Sequence, residues 1–155
     1  MRKKAITLIE MVAIIAVVGL AIPPLMLMWQ DLSYRSARAT AISQATFYAQ
    51  ELMEEIKSKD FVDPDDPTNP ALGPNGETYP NFDDVDDFNG CTDSRVTTPA
   101  SGYARSVTID YVSLNTGTDP DSWEASGSPT DYKRITVSVS HRFGDSSLVT
   151  IVSGF

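Results

Sequence analysis

The first candidate for chemistry is Glu10, a carboxylate inside an otherwise apolar run over residues 6–29. An ionised side chain at the centre of a bilayer costs at least ~2.5–3.5 kcal/mol on insertion scales. We therefore predict that Glu10 has a function and pairs with a cation. Arg2, Lys3 and Lys4 precede the run, so the alternative is that Glu10 snorkels to the membrane interface beside these residues.

A second group of carboxylates lies in the middle of the chain. Ca²⁺ takes six to eight oxygen ligands, so this group is a candidate calcium site, although exposed acids are usually only solvated. Phe82, Val85 and Phe88 recur every three residues among the acids, which predicts a short helical turn that buries the apolar residues and leaves the acids exposed. The calcium candidates are Asp83, Asp84, Asp86 and Asp87.

The sequence gives little support for other kinds of catalytic site. The chain has one cysteine, Cys91, and one histidine, His141, so an intrachain disulfide is impossible and a Cys-His nucleophile is not indicated. Cys91 could be a free thiol or pair with another chain. Carboxylate pairs for glycoside chemistry can be drawn from the acids, but no pattern supplies a pocket for them. We expect no enzymatic activity and no cofactor other than the possible Ca²⁺.

The charge balance restricts the partners. The formal net charge is -9, and binding to nucleic acid requires a basic surface. Nucleic acid is therefore excluded as an expected partner.

The apolar run itself predicts a transmembrane helix. Its 24 residues are enough to cross ~30 Å of hydrocarbon at about 1.5 Å per residue. The cations before it place the N-terminus in the cytoplasm and the remaining chain outside the inner membrane. A secretory signal peptide cleaved near Gly19-Leu20-Ala21 is the competing interpretation. Gly19 and the pair Pro23-Pro24 predict a break in this helix.

The rest of the chain predicts an α+β fold. Small and apolar residues recur with helical spacing from Ala41 to Ile56, which indicates a helix that continues to about residue 60 and packs on a sheet. An acidic, proline-rich loop follows over residues 61–101, and residues 102–155 alternate as strands. We expect a long N-terminal helix, transmembrane in its first half, packed on an antiparallel sheet of three to four strands.

The segment Lys4-Ala5-Ile6-Thr7-Leu8-Ile9-Glu10-Met11-Val12 resembles the cleavage and methylation motif of the type IV pilin-like family. That family pattern is a short basic leader, a small residue, an aromatic or aliphatic residue, and then Thr-Leu-Ile/Leu-Glu. Family members usually have Gly and Phe at the cut, where this chain has Ala5 and Ile6. The resemblance is specific over residues 6–12 and weaker as far as residue 61.

The resemblance implies a leader at residues 1–5, cleavage by a prepilin peptidase between Ala5 and Ile6, and N-methylation of Ile6. It implies a transmembrane segment at residues 6–29 and a pilin-like domain at residues 30–155, periplasmic or in an extracellular fibre. In this family the glutamate equivalent to Glu10 pairs with the terminal amine of a neighbouring subunit.

Two further stretches, residues 49–59 and 132–137, are similar to minor pilins and to minor pseudopilins of type II secretion. The expected function is therefore assembly of a type IV pilus or of a secretion pseudopilus, in adhesion or protein transport. The expected partners are other such subunits, the peptidase and methyltransferase, and the inner membrane. Two alternatives are a major subunit and an unpolymerised periplasmic binding module tethered by the helix.

Overall fold

The computed structural model describes residues 7–115 and 122–154. Helix α1 spans Leu8–Lys57. It begins where the carbonyl oxygen of Thr7 accepts hydrogen bonds from the backbone N–H groups of Glu10 and Met11. Lys57 lies in the last turn, where a cation favours the helix dipole. The helix therefore ends a few residues before the end predicted from the sequence.

The predicted helix break at Gly19–Pro24 does not take the form of a melted segment. Gly19, Pro23 and Pro24 all lie inside one continuous α1. Each proline removes one backbone donor, but the surrounding leucine, alanine and methionine residues are strong helix formers. The loss of two neighbouring donors is therefore accommodated without ending the helix.

The sheet has four antiparallel strands in the order β2-β1-β3-β4. The predicted hairpin of the last two strands is confirmed, with Val137 opposite Leu148. Strand β2 pairs with the end of β1, although the sequence pattern had assigned these residues to a connection. The ring centroids of Trp123 in β2 and Tyr132 lie 4.9 Å apart. The strands are β1 (Tyr103–Asn115), β2 (Ser122–Ala125), β3 (Tyr132–His141) and β4 (Ser146–Ser153).

The core lies between the second half of α1 and one face of the sheet. Ala45, Ala49, Leu52 and Ile56 are fully buried, which confirms the stripe predicted from helical spacing. The sheet side of the core is formed by alternate residues of β1 and β3. Helix α1 and the sheet together make an α+β fold. These sheet residues are Tyr103, Val107, Ile109, Ile135, Val137 and Val139.

The acidic loop between α1 and β1 contributes to this core. It contains a 3₁₀ turn at Asp86–Phe88 and a short helix α2 at Ser94–Thr97. Phe82, Val85 and Phe88 are buried, as predicted. The prediction that the intervening acids stay exposed is wrong, because Asp84, Asp86 and Asp87 are buried as well. Their oxygens are used by backbone N–H groups of the turn and by a lysine of the sheet, as described below.

The chain divides into two compact units between Ala39 and Thr40. In the first unit the described structure is α1 as far as Ala39. The second unit contains the rest of α1, the loop and the sheet.

Candidate functional site

Residues 8–29 at the start of α1 form an apolar surface that is exposed within the part of the chain that the structure describes. Every described side chain from Thr7 to Thr40 is exposed, including Leu8 at 84%, Leu20 at 79% and Trp29 at 74% of their accessible area. An apolar surface of this extent is a contact surface for lipid or protein. By length and composition α1 can cross a membrane, with a mean hydropathy of 2.5 over an 18-residue window.

Glu10 is the acid of this surface. It lies in the first turn of α1, and its backbone N–H lies 3.4 Å from the hydroxyl oxygen of Thr7. A carboxylate in the first turn favours the positive end of the helix dipole. The predicted cleavage residues Ala5 and Ile6, together with Arg2, Lys3 and Lys4, lie outside the described residues.

The predicted calcium ligands do not form one site. Asp84 Oδ1 accepts from the backbone N–H of Asp87 at 3.0 Å, and Asp87 Oδ2 accepts from the backbone N–H of Asp83 at 3.1 Å. These carboxylates therefore stabilise the turn itself. Among the described residues, one of the four candidates, Asp83, joins a possible ligand group with Asp65 and Glu77, and one oxygen of each lies within 4.8 Å of the others. Three carboxylates are chemically suited to a hard cation, and carbonyl or water oxygens would complete a Ca²⁺ ligand set wherever a carboxylate binds through one oxygen.

The crowding of these acids affects their proton affinity. The pKa of Glu77 rises to about 7, first because it shares a hydrogen bond with Asp87, and then through burial and the charges of Asp87 and Asp83. Burial raises the pKa of Asp84 to about 6. Glu77 and Asp84 therefore keep their protons to a higher pH than isolated carboxyl groups do.

A buried ion pair joins the loop to the sheet. Lys133 of β3 donates to Asp86 Oδ2 at 2.7 Å, and the side chains are 1% and 5% exposed. Lys133 Nζ also donates to the backbone carbonyl oxygen of Phe61. Burial raises the pKa of the Asp86 carboxyl, and the hydrogen bond from Lys133 opposes that rise.

A second buried cation, Arg105 of β1, connects three segments. Its guanidinium donates to the carbonyl oxygens of Val96 at 2.6 Å and Tyr48 at 3.2 Å. It also contacts the carboxylate of Glu51 at 3.5 Å. Arg105 thus fixes α2 and the acidic loop against α1 and the sheet, which gives it a structural role.

Comparison with known proteins adds no relative, because no family model, curated protein or solved structure matches this chain.

Sequence reasoning missed the pairing of Lys133 with Asp86. One signal was present, because Lys133 lies in register with the inward residues Ile135 and Val137 on the alternating pattern of β3. A lysine at an inward position requires a buried partner. Its partner could not be chosen from the sequence, since the loop contains many acids.

Proposed function

We propose that this chain is a pilin-like subunit, a minor pilin or pseudopilin, that is processed at its N-terminus and incorporated into a type IV pilus or a type II secretion pseudopilus. The observation that carries the proposal is the exposed apolar half of α1 with a single acid, Glu10, in its first turn. This half needs an apolar partner outside the chain. A membrane supplies one before assembly, and the helices of neighbouring subunits supply one afterwards.

Glu10 gives this proposal its specific chemistry. A carboxylate that enters an apolar helix bundle must be paired with a cation. Cleavage between Ala5 and Ile6 would create a new ammonium group four residues before Glu10. In a bundle of parallel subunits, the ammonium of one chain and the Glu10 carboxylate of its neighbour would neutralise each other. The adhesive or secretory role, and the place of the second unit outside the inner membrane, follow from the same proposal.

The N-terminus of the mature protein tests processing. The full chain is isolated from membranes of a host with a prepilin peptidase, and its N-terminal peptide is analysed by mass spectrometry. We expect a first residue Ile6 carrying one methyl group. A tethered binding module with an unprocessed helix would instead keep Met1, and recovery of that terminus alone would reject the subunit proposal.

The role of Glu10 is tested separately. Glu10→Ala and the isosteric Glu10→Gln remove the carboxylate, so both should insert into the membrane normally but enter filaments several-fold less than the wild type. The matched control is Glu54→Ala, which removes an exposed acid of the same helix that pairs with Lys57 at 3.2 Å. Filament content is measured by immunoblotting of sheared or pelleted fibres. Unchanged incorporation of both Glu10 variants would contradict the pairing role.

A further inference from the structure

The side chains of the Lys133–Asp86 ion pair are 1% and 5% exposed, and two aromatic rings lie beside the ammonium. The Lys133 ammonium lies 4.3 Å from the centre of the Phe61 ring and 5.4 Å from that of Tyr111. Both side chains of the pair line a cavity of about 450 Å³ between residues 61–70 and residues 129–131. Burial of two opposite charges costs desolvation energy that their attraction does not always recover.

The hydrogen bonds found among the described residues do not satisfy every polar atom of this charged pair. An ammonium has three donors and a carboxylate has two acceptor oxygens. Within residues 7–115 and 122–154, the acceptors found for Lys133 Nζ are Asp86 Oδ2 and the carbonyl oxygen of Phe61. Asp86 Oδ1 is buried and has no hydrogen-bond partner in the same part of the chain. An unpaired buried oxygen is most costly when it belongs to an ion.

An amide between the two side chains would fit the same surroundings better. It has one N–H, and the Phe61 carbonyl is the acceptor already in place for it. It carries no charge, so an oxygen without a hydrogen-bond partner costs less in this buried position than it does on a carboxylate. We propose that Lys133 Nζ and Asp86 Cγ condense into an intramolecular isopeptide bond.

The reaction balances without a co-substrate. A proton passes from the ammonium to the Asp86 carboxylate, which gives a neutral amine and a neutral acid. The nitrogen lone pair attacks Cγ, an N–C bond forms, and a C–O bond breaks. One amine proton goes to the departing oxygen, which leaves as water into the adjacent cavity. The product is a secondary amide, and no atom is oxidised or reduced.

The location favours the amide in two ways. Lys133 Nζ already contacts Asp86 Oδ2 at 2.7 Å, and holding two reacting groups together removes the entropy cost of a bimolecular encounter. In water, hydrolysis of an amide is driven partly by ionisation of the amine and acid that it releases. Burial penalises that ionisation, so the equilibrium inside the protein shifts toward the amide.

The bond would act as a covalent staple of the acidic loop. The chain has a single cysteine, so a disulfide cannot tie the long segment between α1 and β1 to the sheet. A link from Asp86 to Lys133 at the start of β3 would hold that segment when the second unit is pulled. This inference does not depend on the proposed assembly into filaments.

Peptide mapping of the full-length chain, purified in detergent, tests the proposal. Trypsin cuts after Lys59 and Arg95, and after Arg105 and Arg134. We expect peptide 60–95 joined to peptide 106–134, with a mass lower than their sum by one water molecule, and fragment ions that place the link at Asp86 and Lys133. Intact mass alone is insufficient, because Asn89-Gly90 can also lose a small molecule by cyclisation.

Two variants complete the test. Lys133→Arg keeps the positive charge but lacks the nucleophilic amine, and it should yield only unlinked peptides. Lys59→Arg makes the same change at a lysine that donates to the carbonyl oxygen of Phe82, and it should keep the link. Quantitative recovery of unlinked peptides from the folded wild type would overturn the proposal and leave an ordinary ion pair. This outcome would not affect the tests of Ile6 and Glu10.

Discussion

The two parts of helix α1 use the same backbone conformation for opposite purposes. As far as residue 29 the helix has leucine, isoleucine and valine on all sides, and all described side chains before Thr40 are exposed. From Ala41 onward, small and apolar residues form one stripe that is buried against the sheet. The difference shows that, among the described residues, the second part of α1 packs against the sheet and the first part leaves its side chains exposed.

The choice of residues explains this difference. Three alanines in the buried stripe, Ala41, Ala45 and Ala49, allow the helix backbone to approach the sheet closely. Large side chains distributed around the first part give no single packing face, which is the pattern of a helix surrounded by apolar groups. Substitutions that are chemically identical in both parts should therefore have different effects.

The largest difference is expected for leucine truncation. Leu52→Ala removes a fully buried side chain and should lower the free energy of unfolding by about 2–5 kcal/mol, through lost burial and the cavity left behind. Leu20→Ala, at a position 79% exposed, is the matched control and should change it by less than ~0.5 kcal/mol. Denaturant unfolding of the detergent-purified chain, followed by near-UV circular dichroism, measures both. Equal effects would contradict the division of the helix.

A smaller difference is expected for overpacking. Ala49→Leu places a large side chain at a position with no exposed area, and strain should cost about 1–3 kcal/mol of unfolding free energy. Ala16→Leu makes the same change at an exposed position and should leave the unfolding free energy nearly unchanged. The same denaturant titration applies. A tolerated Ala49→Leu would show that α1 and the sheet can separate without cost.

The sequence predicted those parts of the fold that follow from periodicity. The helical spacing of Ala45, Leu52 and Ile56 and the alternation of Ile135 and Val137 were enough for the helix, the hairpin and the core between them. The short strand β2 was not predicted, because its four residues lie in a Gly/Pro/Ser-rich stretch that has no alternating run long enough to indicate a strand. The helix does not melt at Pro23-Pro24, since the local propensity for helix on both sides exceeds the loss of two donors.

Prediction of the candidate sites was limited in the same way, to features that are visible in the local sequence. Glu10 was identifiable because one acid in an apolar run is anomalous by composition alone. The role of each acid in the loop could not be identified from the sequence. Contacts between residues distant in sequence decide whether a carboxylate binds a backbone N–H, a lysine or another carboxylate. Asp86 pairs with Lys133, which lies 47 residues away in the sequence, whereas Asp83 lies close to Asp65 and Glu77.

The smallest expected effect concerns these acids and depends on pH. The pKa of Glu77 is raised from 4.5 to about 7 in the folded chain, so the folded state holds this proton more strongly than the unfolded state does. Its stabilising contribution is complete below pH 4.5 and is lost as the pH rises toward 7. The free energy of unfolding should therefore fall between pH 5 and pH 8. The pKa of Asp84, raised to about 6, acts in the same direction.

Glu77→Gln separates the two contributions. The amide cannot ionise, so the variant should lose less stability than the wild type between pH 5 and pH 8, with the remaining fall due mainly to Asp84. Glu54→Gln, at a side chain 74% exposed, is the control and should keep the full wild-type dependence. Denaturant midpoints at the two pH values measure the change. If Glu77→Gln keeps the full dependence, the hydrogen bond between Glu77 and Asp87 does not hold a proton in the folded loop.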